Sequence, residues 1–418
     1  MLRVCVDARV TGSGSIGGVE QVIIGLASGL SGLIDGDEEY LFLTHADSDE
    51  WIRPYIRGPC QILSGPPLPP VPGWKQFLKS NMPVVRTTWQ TLSPLAGNRT
   101  VRVPVSDGTI EKAGVDVMHF ATQDGFLTNI PSIYHPHDLQ HLHFPGYFPR
   151  RHRLIREVTY RAFCEQARMV CVVSSWGKRD LIKHYRLPEE KVRIVPLAPM
   201  LTAYPTPSND DLISTRKKYA LPEAFVFYPA QTWAHKNHIG LLEALATLRD
   251  RHGLEIPFVS SGQLNEFFPK IRRRVRELHL TDQVWFLGFV SPLELQSLYR
   301  LCNSVVIPTK FEAASFPLWE AFLAGVPAAC SNVTSLHEQA GDAALVFDPD
   351  EPENIADTVS RLWTDKALRS TLVERGRKNV ARFTWENTAR IFRAHYRRIA
   401  NRPLTEEDEH LLSAPPLL

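Results

Sequence analysis

Short apolar runs alternate with helical segments along most of the chain. The runs predict strands at residues 4–6, 40–43, 170–173, 225–228, 284–287, 305–307 and 344–347. A strand–helix alternation of this kind is typical of parallel sheets with helices on both faces. A Pro/Ser/Asn-rich segment from about residue 199 to residue 210 has the composition of a linker and separates two sets of strands. We therefore predict an α/β chain of two doubly wound domains that face each other across a cleft.

The composition narrows the class of protein without naming a function. A chain of 418 residues that is 44% hydrophobic can form two domains of ordinary size with real cores. A net charge of +2 gives no argument for nucleic-acid binding. The six cysteines form no C-x-x-C pair, and several lie in apolar runs, so we expect buried free thiols in a reducing cytosol. The first residues predict a strand rather than a signal peptide, and no run reaches 18 apolar residues.

Two regions depart from the alternation. The region 52–115 contains a proline-rich run at 65–73 and then basic and aromatic residues at helical spacing, namely Trp74, Lys75, Lys79, Arg86 and Trp89. Such a segment is typical either of an amphipathic surface helix with solvated lysines or of a helix on an anionic membrane surface. We treat it as an insert. The tail at 403–418 is acidic and then rich in proline and leucine, and we expect it to be disordered.

Two carboxylates stand eight residues apart where a strand leads into a helix. Glu312 follows the apolar run at 305–307, and Glu320 falls in the next helix, whose start is marked by Ser315 and Pro317. Ligands of open α/β sheets bind at the carboxyl ends of the strands. The backbone N–H groups of Ser315 and Phe316 would face an anion there, helped by the helix dipole. An acidic residue early in a helix is also common for dipole reasons, so the pair alone does not decide.

Three further strand ends carry polar groups. Gly17 and Gly18 open a helix, and glycine lets backbone N–H groups approach a phosphate or sugar closely. The dinucleotide spacing G-x-G-x-x-G is not reproduced, which argues against a redox site. His137 can bond a substrate hydroxyl or a phosphate, with Asp138 to orient it. Lys236 lies at a strand-to-helix turn that suits a diphosphate, although an exposed capping lysine is the alternative.

Two patterns raise the question of a metal site. The histidines at 135, 137, 141 and 143 stand at a spacing that fits no helical zinc pattern, and no further ligand is evident from the sequence. Two D-x-D triplets, at 47–49 and 348–350, resemble ordinary turns after strands, where aspartate is favoured. We therefore expect no bound metal.

Taken in order, these segments resemble the family 4 retaining glycosyltransferases of the GT-B fold. The resemblance covers nearly the whole chain and rests on Gly17-Gly18-Val-Glu20, His137-Asp138-Leu, Phe144-Pro145, Val173-Ser174 with Lys178, Lys236-Asn237, Phe286-Leu-Gly-Phe-Val290, the E-x7-E pair and Phe383-Thr-Trp385-Glu. It implies an acceptor-side Rossmann-like domain at 1–198, with the insert at about 52–115, and a nucleotide-sugar-binding Rossmann-like domain at 211–384. A helix at 385–402 would then cross back to the first domain before the tail at 403–418.

The resemblance also implies roles for residues of this chain. Lys236 would neutralise the diphosphate of the donor, Glu312 would contact the hydroxyls of the transferred sugar, and His137 would lie beside the reacting sugar. These three are the expected catalytic residues. Glu320 would bind the ribose of the nucleotide. Further donor contacts are expected from Gly17, Gly18, Gln231, Ala314, Ser315, Phe316 and the backbone around Phe289.

Two departures from the family pattern bear on the site. The family usually has arginine where this chain has Gln231, so one positive charge near the leaving group is lost. His235 or arginines of the other domain could offset that loss. The loop between the two glutamates is usually Gly-Phe-Gly, and here it is Ala313-Ala314-Ser315, so this backbone must adopt its turn without glycine.

The resemblance implies transfer of a hexose from a nucleotide diphosphate sugar to a hydroxyl of a glycan or lipid-linked acceptor in cell-surface polysaccharide synthesis. Retention at the anomeric carbon and independence of metal are part of that expectation, and a mannose-type donor is slightly favoured. No cofactor and no nucleic-acid partner are expected. The expected location is cytoplasmic, with a peripheral contact at the inner face of the membrane left open. The alternatives are a non-catalytic nucleotide-sugar-binding protein, a GT-B sugar-nucleotide epimerase or phosphorylase, and a dinucleotide oxidoreductase.

Overall fold

Two parallel sheets organise the protein, as the alternation of strands and helices predicts. The computed structural model describes residues 1–10, 18–67, 101–200 and 204–418. The first sheet has seven strands in the order β3-β2-β1-β4-β5-β6-β7. They are β1 (Leu2–Asp7), β2 (Glu38–Thr44), β3 (Cys60–Ser64), β4 (Val117–Phe120), β5 (Ser132–Tyr134), β6 (Met169–Val172) and β7 (Val192–Ile194).

The second sheet has six strands in the order β10-β9-β8-β11-β12-β13. They are β8 (Val226–Pro229), β9 (Phe258–Ser261), β10 (Val284–Phe286), β11 (Ser304–Ile307), β12 (Ala328–Ser331) and β13 (Ala344–Phe347). Strands β8, β9, β11 and β12 are almost wholly buried, since helices cover both faces of the sheet. Each of the seven apolar runs predicted as a strand overlaps one of these thirteen strands.

Helices flank both sheets. Those of the first half are α1 (Gly18–Ser31), α2 (Thr109–Lys112), α3 (Gln140–His143), α4 (Arg150–Gln166) and α5 (Ser175–Tyr185). Those of the second half are α6 (Asn209–Lys218), α7 (His238–His252), α8 (Phe268–Glu277), α9 (Pro292–Leu301), α10 (Phe316–Ala324), α11 (Leu336–Ala340), α12 (Pro352–Thr364) and α13 (Lys366–Val380). Two more, α14 (Trp385–Ile399) and α15 (Glu406–Ser413), follow. Short 3-10 helices occupy Arg53–Tyr55, Pro145–Tyr147, Glu189–Lys191 and Ala234–Lys236.

The strand order reverses between β1 and β4 in the first sheet and between β8 and β11 in the second. In an open parallel sheet, the loops that leave two such neighbouring strands run to opposite faces and leave a crevice between them. Three of the segments predicted to bind a ligand follow these strands, at Gly18 after β1, Lys236 after β8 and Glu312 after β11, and His137 follows β5, which is next to β4. The fold therefore brings the two crevices, one from each sheet, to the same cleft.

Helix α14 crosses back from the second half of the chain and packs on α1 of the first half. Two glycines of α1 allow the close approach, since a Cβ at Gly25 would lie 2.0 Å from the ring of Trp385 and a Cβ at Gly29 would lie 2.3 Å from its carbonyl oxygen. The hydroxyl of Thr388 donates a hydrogen bond to the carbonyl of Pro196 over 2.7 Å, where the chain leaves the first sheet. The helices that pack around the first sheet thus include one from the far end of the sequence.

The expectation of a disordered tail at 403–418 is wrong, because this segment contains α15. Thr405 and Asp408 form a capping box at the start of the helix. Asp408 is fully buried and also pairs with Arg397 of α14 over 2.8 Å. Glu407 pairs with Arg390 over 3.0 Å. The acidic first turn that suggested disorder is the part of the tail that binds the basic face of α14.

The insert expected at 52–115 is only partly described. Its strand β3 is the edge strand of the first sheet, so this part of the region continues the fold instead of departing from it. The basic and aromatic residues Trp74 to Trp89 lie outside the described residues. All six cysteines are free thiols, five of them buried. Among the described residues, no helix has the length and apolar character needed to cross a membrane.

Candidate active site

A cleft with a volume of about 810 Å³ lies between the carboxyl ends of the two sheets. The first half of the chain contributes Gly18, His137 and Asp138 to its walls, and the second half contributes residues around Lys236 and Glu312. The two walls approach each other where α1 begins, since a Cβ at Gly18 would lie 3.4 Å from the ring of Phe316. Gly17, predicted to act with Gly18, lies outside the described residues.

Lys236 and Glu312 form an ion pair on the wall of the second half of the chain. Lys236 ends a 3-10 helix after β8, and Asn237 then starts α7 with a left-handed φ of 56°. Asparagine tolerates that backbone, and its side-chain amide donates to the carbonyl of Pro349 over 2.9 Å. Burial raises the pKa of Glu312 above its ordinary value, and Lys236 offsets part of that rise. The sequence-predicted pair of catalytic residues is therefore brought together, cation against carboxylate.

Glu320, the second carboxylate of the E-x7-E pair, is buried in the second turn of α10 and still faces the cleft. The hydroxyl of Tyr299 donates to its Oε2 over 2.8 Å, while its Oε1 has no hydrogen-bond partner among the described residues. Burial raises the pKa of Glu320 to about 7. A buried carboxyl oxygen without a partner costs free energy unless a ligand satisfies it. The geometry therefore leaves room for a hydroxyl donor at this carboxyl.

The turn that precedes α10 differs from the prediction at one residue. Ala314 and Phe316 line the cleft. The N–H of Ser315 instead donates to the side-chain oxygen of Gln339 over 2.8 Å, and the amide of Gln339 donates back to the carbonyl of Ser315 over 2.9 Å. The expectation that the Ser315 N–H faces an anion is therefore wrong. Gln339 of α11 clamps this peptide, which lets the turn form without the glycines usual in the family.

His137 lies in the facing wall with a left-handed φ of 59°. Its Nε2 is 3.0 Å from the carbonyl oxygen of Ala121, so Nε2 must carry the proton and Nδ1 is left as an acceptor. Burial lowers the pKa of His137, which keeps the ring neutral. Asp138 accepts the N–H of Gln140 over 2.9 Å. The orienting group is thus the carbonyl of Ala121, and not Asp138 as expected from the sequence.

A buried chain of aromatic residues stands behind His137. The ring of His135 lies next to it, and Nε2 of His135 is 2.7 Å from Nε2 of His119. The other ring nitrogen of His119 meets the hydroxyl of Tyr396 in α14. Burial lowers the pKa of His119 to about 3, so this chain is uncharged. In the sequence, His135 stands out only among the histidines of a possible metal pattern, and no local signal connects it with His119 and Tyr396, which come from distant segments.

The remaining predicted donor contacts also line the cleft. Gln231 accepts the indole N–H of Trp233 over 2.9 Å. Phe289 lines the cleft, is 64% exposed and follows Gly288, which has a left-handed φ of 72°. Burial lowers the pKa of His235 to about 3, so this ring is neutral and cannot supply the charge that Gln231 lacks.

Arg156 of α4 is a cleft residue that belongs to none of the sequence motifs. Its guanidinium lies over the ring of Phe148, 4.9 Å from the centroid, and forms no ion pair among the described residues. The suggestion that arginines of the other domain could offset the loss at Gln231 thus has a specific candidate. The signal in the sequence was weak, because Arg156 is one of several arginines in a helix that gives no hint of which one faces the cleft.

Two family models match this chain. A model described as Glycosyltransferase Family 4 matches residues 16–198, and a model described as Glycosyl transferases group 1 matches residues 213–379. The first covers the half that carries His137, and the second covers the half that carries the E-x7-E pair. The chain belongs to the family 4 glycosyltransferases.

One relative of this chain agrees with this assignment. The O-antigen chain mannosyltransferase B of Escherichia coli is 28% identical over 256 residues, which cover 60% of this chain and 66% of that relative. The matched stretch is thus slightly less than two thirds of the relative's length.

Solved structures show that this glycosyltransferase has the GT-B fold. Sucrose-phosphate synthase of Thermosynechococcus elongatus superposes with a TM-score of 0.68 at 20% identity, over 96% of this chain and 99% of that chain. HepE of Anabaena, in complex with UDP and glucose, gives a TM-score of 0.68 at 17% identity over 94% and 99%. The predicted fold class is confirmed.

Proposed function

We propose that this glycosyltransferase moves a hexose from a nucleotide diphosphate sugar to a hydroxyl of a glycan or lipid-linked acceptor in cell-surface polysaccharide synthesis. The observation that carries the proposal is the convergence of Lys236, Glu312 and Glu320 on one cleft, opposite His137. A mannose-type donor is part of the proposal, supported by the similarity to a mannosyltransferase of E. coli. We place the reaction at the cytoplasmic side of a membrane, where a lipid-linked acceptor would be met.

The ion pair between Lys236 and Glu312 suggests how the donor would enter. The diphosphate brings negative charge to Lys236 and competes with Glu312 for it. Once released, the carboxylate of Glu312 can accept hydrogen bonds from sugar hydroxyls. Lys236 is then already in place where charge develops on the leaving group, which is the most effective form of electrostatic stabilisation. Arg156 from the facing wall would contribute the second positive charge.

The remaining groups would orient the two ends of the donor. Glu320, once ionised, would accept hydrogen bonds from the ribose through its unpartnered Oε1. His137, with Nε2 held by Ala121, presents Nδ1 as an acceptor for a hydroxyl of the transferred sugar. No step in this proposal needs a metal ion or a cofactor, because Lys236 and Arg156 supply the positive charge.

Retention is proposed to follow from reaction on one face of the sugar. The bond from the anomeric carbon to the phosphate oxygen breaks, the acceptor oxygen bonds to the same face, and the departing phosphate takes the acceptor proton. A double displacement would need a free carboxylate beneath the anomeric carbon. Glu312, once the diphosphate has released it from Lys236, is the carboxylate that such a course would use, so a covalent glycosyl adduct on Glu312 would contradict the single-face course.

A thermal-shift screen followed by turnover tests the proposal. UDP-, GDP-, ADP- and dTDP-sugars are compared with and without Mg²⁺, and with NAD(H), since ligand binding stabilises the native state. One nucleotide class should raise the melting temperature without metal, and NMR of the product should show the anomeric configuration of the donor. Stabilisation only by NAD(H), or inversion in the product, would refute the proposal.

Three variants test the roles proposed for His137, Lys236 and Glu320. His137→Ala and Lys236→Ala should lower kcat, because these residues act on the reacting sugar and on the leaving group, whereas Glu320→Ala should mainly raise the donor KM. Turnover within about twofold of wild type in all three would mean that the site is misplaced.

A non-catalytic nucleotide-sugar-binding protein is the second candidate, favoured by Gln231 in place of arginine and by the neutral ring of His235. It predicts donor binding without turnover.

A further inference from the structure

Three metal-ligating side chains meet outside the cleft. They are His143 at the end of α3 and Asp180 and His184 of α5. Nε2 of His143 lies 2.9 Å from each carboxylate oxygen of Asp180, and Nε2 of His184 lies 3.4 Å from Oδ1. One ligand atom from each residue can be chosen so that all three lie within 4.8 Å of one another. None of the three residues lines the cleft.

The positions of these residues follow from the local structure. Asp180 and His184 are four residues apart on one helix, so their side chains project from the same face. A spacing of four on a helix is also the spacing at which zinc enzymes place two ligands. His143 comes from a separate segment that packs against this face, and thus supplies a third ligand from another direction.

Asp180 is the strongest sign that the cluster needs a cation. Its side chain is only 8% exposed, and among the described residues its ion-pair partners are the imidazoles of His143 and His184, with no lysine or arginine. Burying a carboxylate is costly unless a cation is held beside it, and a divalent cation between the three side chains would meet that need. The two imidazoles are about one-third exposed, at 29% and 32%, so the position facing them is open to solvent.

We propose that His143, Asp180 and His184 form a binding site for a Zn²⁺-class divalent cation. Zinc takes imidazole nitrogen and carboxylate oxygen at about 2.0–2.2 Å, and tetrahedral coordination then separates the ligand atoms by about 3.4 Å. The separations of 2.9 and 3.4 Å to Asp180 are close to that value. Three protein ligands leave a fourth position for water, reached from the exposed side of the two rings.

The cation would act on the region where the two halves of the chain meet. The ring of His143 packs against Phe311 at 5.3 Å and against Trp176 at 5.6 Å between centroids. Phe311 directly precedes Glu312, so a cation that fixes His143 would also fix the turn behind the cleft carboxylate. The site is therefore proposed to hold two segments together, and it takes no part in the transfer of the sugar.

Metal binding to the full-length protein tests this proposal. The protein is stripped with EDTA, freed of any polyhistidine tag, and dialysed against ZnCl2, and the bound metal is counted by mass spectrometry. One equivalent should bind, and CoCl2 should give the visible absorption of a tetrahedral site. Zn²⁺ should raise the melting temperature of the wild type. His184→Ala should weaken binding at least about tenfold, because one of three ligands is lost.

His152→Ala is the matched control, since His152 is an exposed histidine of α4 outside the cluster. The affinity of the His152→Ala protein for Zn²⁺ should equal that of the wild type. Asp180→Asn should also lose binding, and if that buried substitution impairs folding, the partly exposed His184 still decides the question. Equal Zn²⁺ affinity in His184→Ala and wild type, no bound equivalent, or equal loss in the His152 control would each overturn the proposal.

Discussion

Removing the phenol hydroxyl of Tyr299 should shift the pH dependence of donor binding upward by about one pH unit. Burial raises the pKa of Glu320 to about 7, and the hydrogen bond from Tyr299, at 2.8 Å, holds it down from a higher value. A hydrogen bond to a charged group contributes about 1.5–3 kcal/mol, and one pKa unit corresponds to about 1.4 kcal/mol. Tyr299→Phe should therefore move the pKa of Glu320 to about 8 at the lower end of that range.

The direction in which the donor affinity changes with pH depends on which protonation state of Glu320 binds the donor. The ionised carboxylate accepts ribose hydroxyls, so this contribution to affinity is present above the pKa and is lost as the pH falls through it. At pH 7 the ionised fraction should drop from about one half to about one tenth, which weakens donor binding about fivefold. At about pH 9 both proteins are almost fully ionised, and their affinities should converge.

Titration calorimetry from about pH 5.5 to about pH 9.5 measures the effect, with the nucleotide diphosphate that stabilises the wild type most. Tyr40→Phe is the matched control, because Tyr40 is a buried tyrosine whose hydroxyl has no partner among the described residues. An affinity loss in Tyr299→Phe that is equal at every pH would refute the reasoning. It would mean that Tyr299 acts on the packing of α9 and not on the charge of Glu320.

Three other changes probe the site and its support. Gln231→Arg should leave kcat/KM within about threefold, because Arg156 is proposed to supply the charge that Gln231 lacks, whereas Arg156→Gln should lower kcat/KM about tenfold. A gain of about tenfold in Gln231→Arg would contradict the role given to Arg156. Gly29→Ala should lower the free energy of unfolding by about 1–3 kcal/mol in a denaturant titration, since the new Cβ would meet the carbonyl of Trp385. Gly146→Ala is the control and should leave the free energy of unfolding unchanged, because open space surrounds Gly146. Asp408→Ala should lower the free energy of unfolding by about 1–2 kcal/mol and expose the tail to protease, because a helix cap and the pair with Arg397 are lost. Glu409→Ala, at an exposed position of the same helix, serves as the control. An unchanged digestion pattern would contradict the role given to Asp408.

Local signals in the sequence predicted the helix between the two glutamates. Ser315 is its N-cap residue and Gly325, with a φ of 70°, ends it, as the pattern indicates. The βα alternation likewise predicted both sheets, because strands buried on both faces show as continuous apolar runs. These features depend on neighbours within a few residues, which is why one sequence suffices to predict them.

The groups that complete the site come from elsewhere in the chain. Gln339 clamps Ser315 from 24 residues away, Tyr299 reaches Glu320 from 21, and the guanidinium of Arg156 enters from the facing domain. None of them carries a local pattern that distinguishes it from an ordinary helix residue. Their positions depend on how the helices pack, and the packing is not readable from spacing alone.

The tail shows how a local signal can be present and still be misread. Its capping box at Thr405 and Asp408 is visible in the sequence. The acidic composition outweighed that signal, since an isolated eight-residue helix is marginal in water. What stabilises the helix is the basic face of α14, a tertiary contact.

The return of α14 to α1 makes the first domain discontinuous in sequence. During synthesis, residues 1–198 leave the ribosome about 200 residues before Trp385 does, which at about 5–20 residues per second is a delay of about 10–40 s. Throughout that interval the face of α1 around Gly25 and Gly29 stands uncovered. A fragment that ends near residue 198 would keep that face exposed permanently. An expressible first domain would therefore need residues 385–413 joined to it by a linker, in the manner of a circular permutant.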